Sequence, residues 1–408
     1  MSIISLPQNY ANRFSDKNKS TSFFENIDTP LLLSAITLLG LGLVMVASSS
    51  ISIAERQLSD PLYYFWRQLS YSMVGLVTAF IVFKISLDFL QKTGPVLIVI
   101  SMFLLMLVLV PGLGKEVNGS MRWLNLGIIS LQVSEFVKLA TVIYLAGYLV
   151  RHNEEVRTKL GGFMRPLGLI FVLSVLLIFE PDFGAVAVIV MTAMGMLWLG
   201  GASFFQFILL TLTTVAALTL AAISSPYRME RLTTFLNPWA DPYNSGFQLT
   251  QALIAFGRGE WFGVGLGSSV QKLFYLPEAH TDFVLAVLAE ELGLFSVMLV
   301  IALFCFIVIR ALMIGRRAEK RERPFTAFLA YGLGIWLGLQ AFINVGVNMG
   351  VLPTKGLTLP LMSYGGSSLI IMCVVIAILL RADYETRQYD RSSQNKRSKN
   401  SSVGIQSW

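Results

Sequence analysis

Apolar stretches of membrane-spanning length alternate with short polar breaks along most of the chain, at about 31–53, 69–87, 94–112, 131–150, 164–180, 184–200, 203–223, 282–310, 325–349 and 356–380. About 20 apolar residues carry a helix across the hydrocarbon core, and open β structure would leave unpaired edge groups in lipid. The pattern therefore predicts an all-α integral membrane protein, a bundle of about ten transmembrane helices. One break differs from the rest: residues 224–281 form a long polar segment, expected to be one large periplasmic loop. The expected organisation is a cytoplasmic tail over 1–30, helices one to seven within 31–223, the loop at 224–281, helices eight to ten within 282–381, and a second cytoplasmic tail over 382–408. Within the loop, Gln248 to Phe256 has amphipathic spacing, and five glycines from Gly257 to Gly267 suit tight turns. The loop is expected to fold back onto the bundle.

Composition agrees with the pattern. The 408 residues are 55% hydrophobic and 13% charged, where a soluble chain would carry roughly a quarter charged residues. The net charge of +7 would also suit a nucleic-acid binder, but its distribution points elsewhere. Lys84, Lys92, Arg151, Arg157, Lys159, Arg165, Arg310, Arg316, Arg317, Lys320, Arg321 and Arg323 fall in one set of loops, whereas the opposite set holds Arg56, Arg67, Lys115 and Arg122. Lysine and arginine accumulate on the cytoplasmic side, so both termini are expected inside and 224–280 outside, with no nucleic-acid partner. The first apolar run is longer than a signal-peptide core and is read as a retained helix. Cys305 and Cys373 sit in apolar runs as packing residues, and two scattered histidines, His152 and His280, give no metal site.

The candidate chemistry gathers where the loop re-enters the membrane, at Leu276-Pro277-Glu278-Ala279-His280-Thr281-Asp282-Phe283. A carboxylate near apolar residues, four positions after Glu278, resists ionisation through desolvation and like-charge repulsion. That moves Asp282 towards the working pH of a general base, a role worth about 10²–10⁴-fold in rate. Thr281 and Asp282 are equally good N-cap residues, and spacing leaves both readings open. Glu135 and Lys138 share a helix face inside an apolar span, as a structural ion pair or as part of a substrate groove. Arg122-Trp123 combines a residue suited to gripping phosphate with an interfacial anchor. Arg228, Arg231, Arg258 and Lys272 are further loop cations, each able to meet an anionic headgroup or simply to be solvated. In Glu180-Pro181-Asp182 the proline breaks a helix and Asp182 is placed to cap the next. Ser363-Tyr364-Gly365-Gly366-Ser367-Ser368 offers small residues for close helix contact, or for interrupting the helix. No nucleotide loop, hydrolase elbow or zinc-protease motif is present.

Two of these segments carry a family resemblance. Gly350-Val351-Leu352-Pro353-Thr354-Lys355-Gly356-Leu357 running on to Ser363–Ser368, together with 276–283, resembles the signature of the SEDS (shape, elongation, division and sporulation) family. The likeness extends from Leu31 to Arg387, and Gln248-Leu249-Thr250-Gln251, Gly257-Arg258-Gly259-Glu260 and Ala279 are similar to its division branch. It implies a peptidoglycan glycosyltransferase that polymerises lipid II during septal wall synthesis, in the bacterial inner membrane. It also implies Asp282 as the essential acid and carries the family's Glu–Lys pair onto Glu135 and Lys138 and its Arg-Trp onto Arg122 and Trp123; Asp182, Arg258, Lys272, Glu278, His280, Thr281 and Lys355 join these as candidate substrate contacts. The implied transfer is inverting, with undecaprenyl pyrophosphate leaving, Mg or Mn as a possible companion of the pyrophosphate and no other cofactor. Implied partners are the nascent glycan strand, a class B penicillin-binding protein (the septal transpeptidase) and divisome activators. The chain departs from the family pattern at Val133, where proline is common, and at Glu180 and Ala185, where glutamine and threonine are common. A lipid flippase or transporter, and a division scaffold, are the alternatives from other classes.

Overall fold

The computed structural model describes residues 27–117, 120–125, 130–223, 229, 234–354 and 356–403. Helices stand at each of the ten expected spans: α1 (Thr29–Leu58), α2 (Tyr63–Lys84), α3 (Leu87–Val108), α4 (Val133–Arg151), α6 (Leu160–Phe179), α7 (Phe183–Leu199), α8 (Phe204–Ile223), α10 (Val284–Glu319), α11 (Pro324–Asn348) and α12 (Gly366–Val403). A short α5 (Asn153–Thr158) links α4 to α6, and the amphipathic loop segment forms α9 (Phe247–Gly259). Seven of the described helices are long and apolar enough to cross a membrane; α7 is apolar but only 17 residues long. Helix starts follow local chemistry. Asp28, Ser86 and Asp182 accept hydrogen bonds from first-turn amides of α1, α3 and α7, each satisfying a donor that the helix leaves open.

Two expectations need correction. The segment between α3 and α4 is not a plain loop but a three-stranded antiparallel sheet of β1 (Gly114–Val117), β2 (Ser120–Asn125) and β3 (Ser130–Gln132). Lys115 and Gln132 lie across from Trp123 on either side of β2. Its strands are only three to six residues long, too short to show as a period-2 pattern beside much longer apolar runs. The tenth helix begins at Gly366, not 356. Residues 356–365 instead form an irregular segment, with Pro360 removing a backbone donor and Leu361 in the left-handed region at φ 64°. The small-residue motif therefore interrupts the span. Gly366 also permits close packing, because a Cβ there would lie 2.6 Å from the Tyr71 ring of α2.

α4 lies at the centre, with nearly every residue from Val133 to Leu149 buried. α11 and α7 flank it, α2 packs along α12, and α10 runs beside α11. One end of the bundle is tied by ion pairs: Arg310 to Asp28, Arg317 and Arg387 to Asp383, and Arg323 and Arg381 to Glu385. These bring the start of α1, the 310–324 basic loop and α12 beyond residue 380 to a common end, the relation that the loop charges require.

At the other end, α10 kinks at Gly293 (φ 76°, ψ 178°), and residues 259–265 pack into the kink. The Leu294 amide donates to the Glu260 carbonyl at 2.9 Å, and the Val264 amide to the Glu290 carbonyl at 3.0 Å. A Cβ at Gly293 would collide with the backbone of Trp261 and Gly263, in a region of φ and ψ that only glycine tolerates. Gly293→Ala is expected to cost about 3 kcal/mol and to lower the Tm of the full chain in detergent.

Candidate active site

The strap 276–283 enters α10 through tight turns. Glu278 adopts a left-handed backbone (φ 56°), its carbonyl accepts from the Thr281 and Phe283 amides, and its Oε2 accepts from Thr281 Oγ1 at 2.7 Å. α10 then starts at Val284 without any side-chain cap. Neither Thr281 nor Asp282 serves as N-cap, because Thr281 is spent on Glu278. Asp282 is held through its backbone instead: its carbonyl accepts from Asn344 Nδ2 at 3.0 Å and Asn348 Nδ2 at 2.9 Å. Its half-buried carboxylate faces Gly356, where an added Cβ would lie 3.1 Å from Oδ2.

Three elements supply the charges around this carboxylate. Burial pushes the Asp282 carboxyl up to about 7, helped by repulsion from Glu278 and Asp182 and opposed by the Arg122 guanidinium. Arg122 reaches in from β2 and grips the turn after α6, donating to the Glu180 carbonyl at 3.3 Å and the Pro181 carbonyl at 2.5 Å. Asp182 caps α7 through Oδ1, 3.1 Å from the Ala185 amide, as its position suggested. The Glu180 side chain is fully buried, with neither oxygen bonded, and burial with Asp182 beside it raises its carboxyl to about 8. Burial thus favours its neutral form, which suits a position where an amide is common. His280 is also buried, and its imidazole sits below its ordinary value for that reason.

The remaining candidates divide. Glu135 and Lys138 form a buried ion pair at 2.8 Å, and Lys138 Nζ also donates to Gln340 Oε1 at 2.8 Å. Gln340 Nε2 donates in turn to the Thr358 carbonyl, and Asn344 Nδ2 to the Leu357 carbonyl. The pair is thus the far anchor of the network that positions Gly356 and Asp282. Trp123 lies half-buried on β2. Lys272 and Arg258 do not join the carboxylate: Lys272 is buried against Glu291 (2.7 Å) and Ser48 (3.0 Å), and Arg258 pairs with Glu290 (2.8 Å). Lys355, Arg228 and Arg231 lie outside the described residues.

Sequence reasoning missed two groups. Glu290 and Glu291 are fully buried in α10 and hold the 258–272 segment through Ser269, the Val270 and Gln271 amides, Arg258 and Lys272. Two adjacent acids inside an apolar span were the available signal. Gln340, Asn344 and Asn348 recur every fourth residue, one face of α11, and were equally legible as a polar stripe.

The arrangement is a carboxylate raised to about 7 and tempered by an arginine, at the end of the bundle opposite the basic ion-pair cluster. It can accept a proton from a hydroxyl near neutral pH.

Comparison with known proteins follows the same line. A family model described as cell cycle protein (FtsW, RodA, SpoVE) matches residues 29–388. A probable peptidoglycan glycosyltransferase FtsW from Nitrosococcus halophilus is 62% identical over 360 residues, covering 88% of this chain and 93% of that protein. One of the same name from Legionella pneumophila is 56% identical, covering 88% and 91%. Among solved structures, a chain from a peptidoglycan synthase complex that coordinates polymerization and crosslinking superposes with TM-score 0.72 at 27% identity, covering 89% of this chain and 99% of that one. The rod shape determining protein RodA of Thermus thermophilus gives 0.65 at 26% identity, covering 88% and 96%.

The electrostatics make a direct prediction. Infrared titration of the Asp282 carboxyl should show a midpoint of about 7. Glu278→Gln removes a repulsion that raises it, so the midpoint should move to lower pH. An unmoved midpoint would show that Glu278 is not felt.

Proposed function

Because this chain belongs to the cell cycle protein family of FtsW, RodA and SpoVE, we propose that it is a peptidoglycan glycosyltransferase that polymerises lipid II, with Asp282 as general base. The observation that carries the reading is the placement of Asp282. Its backbone is clamped by Asn344 and Asn348, while its carboxylate is left without a hydrogen bond among the described residues. A carboxylate committed to a structural bond would be a poor proton acceptor.

In the proposed step, Asp282 takes the proton from the 4-hydroxyl of the acceptor GlcNAc. That oxygen forms a bond to the anomeric carbon of the donor MurNAc. The bond from that carbon to the pyrophosphate oxygen breaks, and undecaprenyl pyrophosphate leaves with the electron pair, inverting the configuration. Mg or Mn bound to the pyrophosphate would offset the charge gathering on the leaving group. Arg122 keeps Asp282 ionised for a larger fraction of the time and braces the turn carrying Asp182. The donor's polyprenyl chain stays in lipid, which suits a site at the mouth of a helical bundle. A transporter would need a charged path through the bilayer centre, whereas Glu135 and Lys138 are buried against each other and Gln340.

The partner we propose is a single-span class B penicillin-binding protein that crosslinks the strands this chain makes at the septum, a reading supported by the likeness to a chain from a complex that coordinates polymerization and crosslinking. Divisome proteins would activate the pair.

Purified full chain given lipid II in detergent should make glycan, and Asp282→Ala should abolish synthesis without lowering Tm. A base must be ionised to act, so kcat/KM should rise with pH through a midpoint of about 7. Near-normal polymer from Asp282→Ala would refute the assignment.

A further inference from the structure

The leaving group gathers negative charge and needs a cation. Of the outer-side cations weighed from sequence, Arg258 and Lys272 are neutralised by Glu290 and Glu291. Arg122 is free of any ion pair among the described residues but acts directly on Asp282. That places it on the side of the attacking oxygen. In an inverting displacement the leaving oxygen departs opposite the attacking one, so base and leaving-group catalyst stand on opposite faces of the sugar.

Arg67 is a second cation beside the strap, on a different element from Arg122. It lies one turn into α2, next to four successive aromatic residues, Tyr63 to Trp66, which suit the level of lipid headgroups. Its guanidinium donates only to neutral hydroxyls, Tyr63 Oη at 3.0 Å and Tyr71 Oη at 2.7 Å, and it has no carboxylate partner among the described residues. It is half-buried, and Tyr364 lies within its electrostatic reach. Tyr364 joins it to the strap: its amide donates to the His280 carbonyl at 2.9 Å, and its ring lies 5.2 Å from Tyr64, which is itself 4.7 Å from His280. The neighbouring Gln68 donates to the Ser363 carbonyl at 3.1 Å. Arg67 is thus tied, through Tyr64, Gln68 and Tyr364, to the strap and to the 356–365 segment.

We propose that Arg67 binds the pyrophosphate of the lipid-linked donor and stabilises it as it leaves, with Tyr64, His280 and Tyr364 as the wall between it and Asp282. The inference rests on the glycosyl-transfer reading above. An unneutralised arginine fixed by two hydroxyls keeps its remaining N–H groups available for phosphate oxygens.

The test is binding, not turnover, so that it can fail independently of the base assignment. Full-length Asp282→Asn protein in nanodiscs would be titrated with undecaprenyl pyrophosphate and with undecaprenol, which lacks phosphate. Adding Arg67→Gln should weaken pyrophosphate binding by about 10- to 100-fold and leave undecaprenol within about twofold, with Arg67→Lys recovering much of the loss. Arg56→Gln, which removes an exposed cation stacked on Phe274, should change neither. The proposal is overturned if Arg67→Gln leaves pyrophosphate binding unchanged or weakens both lipids equally. It is also overturned if phosphatidylglycerol at equal concentration displaces the pyrophosphate, which would make this a general headgroup site. Polymer formation by the Asp282→Asn protein would instead sink the base assignment and leave this one standing.

Discussion

Irregular backbone at the edge of a bilayer must find its hydrogen bonds inside the protein, and three amide side chains of α11 supply them. Gln340, Asn344 and Asn348 donate to the carbonyls of Thr358, Leu357 and Asp282, and Asn348 accepts from the Ala286 amide. Without such donors neither the 356–365 segment nor the turn before α10 could sit beside hydrocarbon, since an unsatisfied buried backbone group costs roughly 1–3 kcal/mol. Lys138, held by Glu135, fixes the orientation of Gln340 from the centre of the bundle. A central ion pair and a polar helix face thus brace the irregular segment and the backbone that carries the reactive carboxylate.

A second network fixes the outer segment on α10. Glu290 and Glu291 would be prohibitively costly as isolated buried charges. Each is matched: one by Arg258, a serine hydroxyl and two amides, the other by Lys272 and Ser48. Arg258 and Lys272 are thereby removed from the pool of cations that could meet a substrate. Among the described residues Arg67 and Arg122 carry no ion pair, and they reach the surroundings of the Asp282 strap from α2 and β2. The division of labour among like residues is thus a matter of which carboxylates were already buried nearby.

Asp282 itself shows why location outweighs residue type. Asp28 and Asp182 are more deeply buried carboxylates, yet each accepts a helix N-terminal amide and serves as a cap. Thr281 spends its hydroxyl on Glu278, and α10 starts without a cap. The aspartate that could have capped the helix is left with its reactivity instead. Repulsion from Glu278 and Asp182 then adds to burial, and Arg122 tempers both.

Much of this was legible in the residues alone. Apolar run length dictates helices at ten segments, because a bilayer admits little else, and loop charge requires that the start of α1, the 310–324 loop and the end of α12 share one face. The 276–283 motif already marked Asp282, since a carboxylate four residues from another beside apolar chain has little choice but to resist ionisation. Pairing was beyond the sequence's reach. Whether Lys272 meets a phosphate or Glu291, whether Asp282 caps a helix or stands free, and whether Arg67 is a topogenic charge or part of the mouth all depend on residues tens to hundreds of positions away. Hydrogen bonds and close ion pairs form only within a few ångströms, so only the packed arrangement could assign them.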